Sequence, residues 1–185
     1  MKSRDFNVKY VEVTMDNIDI AYNIQKAIWK TDPDYNNFFK KANNTKDDNI
    51  AFIVYFQGVP IGITGVYIED IDLKSIWLDW FCVLPEYRRI GLGKTILTDT
   101  IQYAKELKRF EYFRVETTYW EGRPAIKLYD EIMTFKEKYT IEDTSEIQHN
   151  WIIYTYTFGD KREYWNNRNL ELEDYYKNCK SDKKG

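Results

Sequence analysis

Residues 86–97 read EYRRIGLGKTIL. Glycines, arginines and a Gly-Lys-Thr stand between an apolar run and a run with helical spacing. A loop that opens a helix presents unpaired N–H groups, and the helix dipole adds positive potential. Such a turn suits a phosphate. Three loops of this kind differ in spacing. A nucleoside-triphosphate loop, G-x-x-x-x-G-K-[ST], would end at Gly93-Lys94-Thr95, but its first glycine falls on Arg88. A dinucleotide fingerprint, G-x-G-x-x-G, would use Gly91 and Gly93, but its third glycine falls on Ile96. The third pattern is [Q/R]-x-x-G-x-[G/A] after a long strand and before a helix. Arg88, Arg89, Ile90, Gly91, Leu92 and Gly93 satisfy it at every position.

Other chemistries find little support. His149 is the single histidine, and Cys82 and Cys179 are the two cysteines. That disfavours a zinc site, a Ser-His nucleophile pair and a disulfide framework, and no metal is expected. The 27 basic and 30 acidic residues leave a net charge of −3. No basic footprint for nucleic acid or for an anionic membrane surface follows from that balance. The start, MKSRDFNVKYVEV, has no apolar signal-type core. No apolar run approaches the roughly 18 residues of a membrane span. A cytoplasmic protein is the expectation.

The elements that position the loop are readable from periodicity. The chain has 185 residues, enough for one domain with a sizeable core. Residues 7–13 alternate as a strand, and 17–30 carry an apolar helical face ended by Thr31-Asp32-Pro33. DYNNFFKKANN suggests a short helix. Residues 50–69 form two strands about Gln57-Gly58. SIWLDWFCVL (75–84) is a long apolar strand, and 94–107 an amphipathic helix. EYFRVETTY (111–119) is a strand, 123–135 a helix, and WIIYTYTF (151–158) a last strand. A further strand around 137–141 would lie in an otherwise variable connection at 136–150. The result is a mixed α/β sheet rather than a doubly wound parallel one. The domain would span 1–158. Residues 159–185 would be a helical extension with Trp165, Leu172, Tyr176 and Cys179 on one face and a frayed end. It would pack on its own domain or on a second subunit in a homodimer.

The block WFCVLPEYRRIGLGKTIL resembles the acetyl-CoA motif of the GNAT superfamily of N-acetyltransferases. RPAIKLYDEIMTF resembles that family's A-x-x-L-Y-x-x-x-G-F helix, through Ala125, Leu128, Tyr129 and Phe135. Thr134 replaces the expected glycine, and WEGRP replaces the asparagine often found before this helix. The resemblance implies a GNAT acyltransferase fold: a twisted, mostly antiparallel sheet with one splayed parallel strand pair, flanked by helices. It implies acetyl-CoA as cosubstrate and a primary amine as acceptor, in a direct ternary complex. Amides of residues 89–94 would hold the pyrophosphate, with charge from Arg88, Arg89 and Lys94. Phe81, Cys82 and Val83 would pair with the pantetheine arm, Cys82 otherwise serving as packing. Tyr129 would protonate the leaving thiolate as general acid. Glu116 matches a family position for the base, and Asp79 is its competitor; either could instead bind the substrate's positive charge or end in an ordinary salt bridge. Trp120 and the carboxylates and rings of the neighbouring loops, Phe38 among them, would suit a cationic amine. Solvated loop residues would look the same. A non-catalytic acyl-CoA-binding module would keep the loop without needing Tyr129 or a base.

Overall fold

The computed structural model describes residues 6–30, 35–44, 46–70, 72–118, 124–142 and 148–165. The order is β1 (Val8–Glu12), α1 (Ile18–Trp29), α2 (Tyr35–Ala42), β2 (Ile50–Phe56), β3 (Val59–Tyr67) and β4 (Ser75–Val83). A single 3₁₀ turn, Pro85–Tyr87, follows. Then come α3 (Leu92–Glu106), β5 (Tyr112–Thr118), α4 (Pro124–Ile132), β6 (Phe135–Glu142) and β7 (Gln148–Thr157). The strand expected around 137–141 is therefore present and longer. The α4 helix stops earlier than the expected 135. Thr134 leaves it without a positive φ, its N–H donating to the Thr155 carbonyl at 2.8 Å, so the missing glycine is not needed there.

The seven strands make one sheet in the order β1-β2-β3-β4-β5-β7-β6. Neighbours are antiparallel except β4 and β5, which run parallel. One face carries α3 and α4. There Leu97, Ile101 and Ala104 of α3 and Tyr129 and Met133 pack on Ile76, Leu78, Phe113, Val115, Ile152 and Tyr154. The other face carries α1 and α2, whose Ile18, Ala21, Ile24 and Phe38 pack on Ala51, Ile53, Ile63 and Cys82. Period-two alternation of the strands thus feeds two separate apolar layers. Phe38 is fully buried in the second layer, against Tyr22 and Trp80. It is a core residue rather than a cleft residue.

Two local features shape β4. Gly62 of β3 lies against it so closely that an added Cβ would sit 2.2 Å from the Cys82 carbonyl oxygen. Gly62→Ala is expected to lower stability by about 1–3 kcal/mol through overpacking, read from the midpoint of urea unfolding. An unchanged midpoint would contradict this contact. The second feature is a bulge. Ile63 pairs with Cys82 but Gly65 pairs with Asp79, so Trp80 and Phe81 oppose the single residue Thr64. Trp80 there has φ +40°, a conformation costly for a bulky side chain.

The chain beyond β7 turns back over the sheet without forming a helix up to residue 165. Trp165 is 2% exposed, edge-on to Trp77 with ring centroids 5.3 Å apart. Its main-chain N–H donates to Glu137 Oε2 at 2.8 Å. Leu172, Tyr176 and Cys179 lie outside the described residues.

Candidate active site

The parallel pair β4–β5 is registered only at Ser75 with Tyr112, Ile76 with Phe113 and Trp77 with Arg114. Beyond Trp77 and Arg114 both strands continue, to Val83 and Thr118, without pairing to each other. Cys82 is registered with Ile63, and Leu84 N–H donates to the Ile61 carbonyl at 2.8 Å. By the two-residue period of the ladder, the main-chain groups of Phe81 and Val83 face away from β3 into the gap. A gap where the main-chain groups of two strands are not paired with each other is a place for a ligand that supplies partners of its own.

The loop below the gap offers anion donors. Gly91 caps α3 at φ +108°, where only glycine is unstrained, and Arg89 is also left-handed at φ +67°. Among the described residues, no main-chain carbonyl accepts from the N–H groups of Arg89, Ile90, Gly91, Leu92 or Gly93. Lys94 N–H is used on the Gly91 carbonyl at 3.0 Å. Its ammonium is held by Glu131 of α4 at 2.5 Å. Arg88 turns back, Nε donating to the Val83 carbonyl at 2.7 Å, and so ties the loop to the end of β4. Arg89 and Ile90 are exposed, whereas Leu92 is buried against Val54, Ile61 and Val83.

Tyr129 projects from α4 on the α3–α4 side and is 5% exposed. Its ring lies 6.4 Å from Phe81 of β4 and 5.3 Å from Tyr154 of β7, centroid to centroid. Since β7 pairs with β5, Tyr129 touches both flanks of the parted strands. Glu116 has the parity of Arg114 in β5, opposite to Phe113 and Val115. It therefore faces the other side of the sheet, where Asp79 also lies. Burial, and next the Glu116 charge, push the Glu69 carboxyl up. Two carboxylates thus repel each other beside the gap.

Asp79 is engaged. Its Oδ2 lies 3.1 Å from the Lys41 ammonium and accepts from Asn37 Nδ2 at 3.4 Å. Burial pushes the Asp79 carboxyl up and the Lys41 ammonium down, and their mutual attraction opposes both. Cys82 is buried, and burial pushes its thiol up to about 12. Such a thiol packs; it is no thiolate at neutral pH. Trp120 lies outside the described residues. Among the described residues no group of His, Cys, Asp and Glu could hold a metal ion. No helix among them is long and apolar enough to cross a membrane. The sequence pattern did not disclose Lys41. Its one signal was the three-residue spacing from Phe38, which puts both on the inward face of α2.

The model of the Acetyltransferase (GNAT) family matches residues 14–135. The chain belongs to the GNAT acetyltransferase family. A protein of Bacillus subtilis (strain 168) that carries an acetyltransferase name is 29% identical over 102 residues, covering 54% of this chain and 67% of the relative. Among solved structures, Arabidopsis thaliana NAA60 in complex with acetyl-CoA superposes with a TM-score of 0.64 at 12% identity, over 82% of this chain and 100% of that one. A GNAT acetyltransferase of Elizabethkingia anophelis with acetyl-CoA bound gives 0.60 at 17% identity, over 84% and 100%. The ribosomal-protein-S18-alanine N-acetyltransferase of Escherichia coli gives 0.60 at 16% identity, over 85% and 99%. These likenesses are of fold. The splayed parallel pair and mostly antiparallel sheet are the GNAT architecture read from the motif.

Proposed function

We propose that this GNAT protein transfers acetyl from acetyl-CoA to a primary amine by direct attack in a ternary complex. The observation that carries the reading is the parting of β4 from β5 directly above a loop with unpaired N–H groups. The amides of residues 89–93 receive the pyrophosphate, with Arg89 near it in charge. The main-chain groups of Phe81 and Val83 pair with the amides of pantetheine, which thereby runs as an extra strand. The thioester then lies in the gap.

The two titratable groups stand on opposite faces of that gap. Glu116 takes the proton from the incoming ammonium on the α1–α2 side. Neutralising an alkylammonium of pKa about 10.4 at pH 7 costs roughly 4–5 kcal/mol, so a base is needed. Cleft-facing N–H groups at the bulge stabilise charge growing on the thioester oxygen. Tyr129 donates its phenolic proton to the departing sulfur from the α3–α4 side. The Glu69 and Glu116 carboxylates favour a cationic acceptor. Asp79, already paired with Lys41, leaves the base role to Glu116 in this reading.

A thermal-shift screen tests the ligand. Acetyl-CoA and CoA are expected to raise Tm in proportion to log concentration, and magnesium nucleotides are not. A shift by ATP or GTP and none by CoA would overturn the proposal. Thiol release across a panel of amines then reads the acceptor.

A further inference from the structure

Lys41 is 2% exposed, unusual for a lysine on a short helix of polar composition. Its ammonium has three donors and three acceptors around it. Asn49 Oδ1 lies at 2.7 Å, the Val66 carbonyl at 2.9 Å and Asp79 Oδ2 at 3.1 Å. A buried charge so fully partnered is fixed in place. The Asp79 carboxylate, in turn, accepts the N–H of Trp80, the bulge residue at φ +40°. The same helix holds the Trp80 ring through Phe38, stacked at 6.3 Å, and α1 adds Trp29, edge-on at 5.2 Å. The two ring contacts of Trp80 thus come from α1 and α2, and its N–H is taken by Asp79. The next residue is Phe81, whose main-chain groups face the gap.

We propose that Lys41, acting through Asp79, is a positioning residue that clamps α2 onto the bulge of β4 and so aims the Phe81 N–H at the acyl oxygen. This inference rests on the acetyl-transfer reading above. Without the clamp, the bulge relaxes toward a regular strand, which reverses the edge of β4, toward β3 or toward the gap, to which successive N–H groups point. The donor is then lost while the loop of residues 89–93 stays as it is.

The double substitution Lys41→Met with Asp79→Leu removes both charges together, so no buried charge is left unpaired. In the full chain it is expected to fold and to keep the wild-type KM for acetyl-CoA. Its kcat is expected to fall on the order of 10²-fold, the range for losing one such donor. A spectroscopic readout separates aiming from general stability. In the wild type, the infrared carbonyl stretch of bound acetyl-CoA, labelled with ¹³C at the acetyl carbonyl, is expected below its value in solution. In the double variant it returns to that value. Lys41→Leu with Asp79→Asn, uncharged at both positions, gives the same two readings if the first double variant does not fold. A folded variant with unchanged kcat, or one whose bound carbonyl stays shifted, overturns the proposal. Failure of both variants to fold would make the pair a folding element and equally overturn it. A wild type that binds no acetyl-CoA instead overturns the reading beneath it.

Discussion

Tyr129→Phe lowers kcat by about 10²–10⁴-fold, the contribution of a positioned general acid, and leaves acetyl-CoA affinity unchanged. The ring is 5% exposed and packs between Phe81 and Tyr154, and phenylalanine preserves those contacts. What is lost is a proton donor whose ring touches both flanks of the parted strands. An interaction made only as the sulfur departs affects kcat and kcat/KM equally. Steady-state kinetics with isothermal titration of CoA separate the two quantities. Full activity of the variant across the pH range would remove Tyr129 from the chemistry.

The second large effect is on stability. Arg114 is 2% exposed in the middle of β5. Its guanidinium donates to Ser75 Oγ at 2.8 Å, Thr155 Oγ1 at 2.8 Å and the Glu163 carbonyl at 3.0 Å. Asp72 lies 3.3 Å from Nε, Glu137 4.0 Å from Nη1, and the Tyr112 ring 4.9 Å from the carbon centre. Arg114→Met removes the guanidinium that lies beside both Asp72 and Glu137. The expected loss is about 3–5 kcal/mol, as for a broken buried pair, measured by urea unfolding. Adding Asp72→Asn and Glu137→Gln should recover much of it. A loss under about 1 kcal/mol, the range of surface pairs, would mean that the network is incidental.

The long-period features of the fold were legible in the sequence. The apolar run 75–84, the spacing of Leu92, Ile96, Leu97, Thr100, Ile101 and Ala104, and the Gln57-Gly58 turn each identify an element that is present. These signals are local, so one stretch of chain suffices to carry them. The α3 helix begins at Leu92 rather than 94 because Gly91 caps it, and caps shift boundaries by a residue or two. What stayed hidden is set by contacts distant in sequence. Arg114 reads as an ordinary alternating residue of YFRVETT, yet its partners come from residues 72, 75, 137, 155 and 163. The bulge at Trp80 has no glycine to announce it, because Asp79, Phe38 and Trp29 impose it from outside. Lys41 stands in a run of Lys and Asn with no local signal of burial beyond its spacing from Phe38. Only the fold brings Val66 and Asn49 to it.

The short seam between Ser75–Trp77 and Tyr112–Arg114 gives the molecule a mechanical character. Four strands stand on one side of it and three on the other; the α1–α2 layer lies wholly on the four-strand side, and only the α3–α4 layer bridges the two. Without cosubstrate, amide protons of the two halves should exchange with solvent through separate openings, the halves scissoring about Arg114. Acetyl-CoA, by lacing the open end, should merge those openings into one. The substrate would then complete the sheet during each turnover, and its departure as product would loosen the protein again.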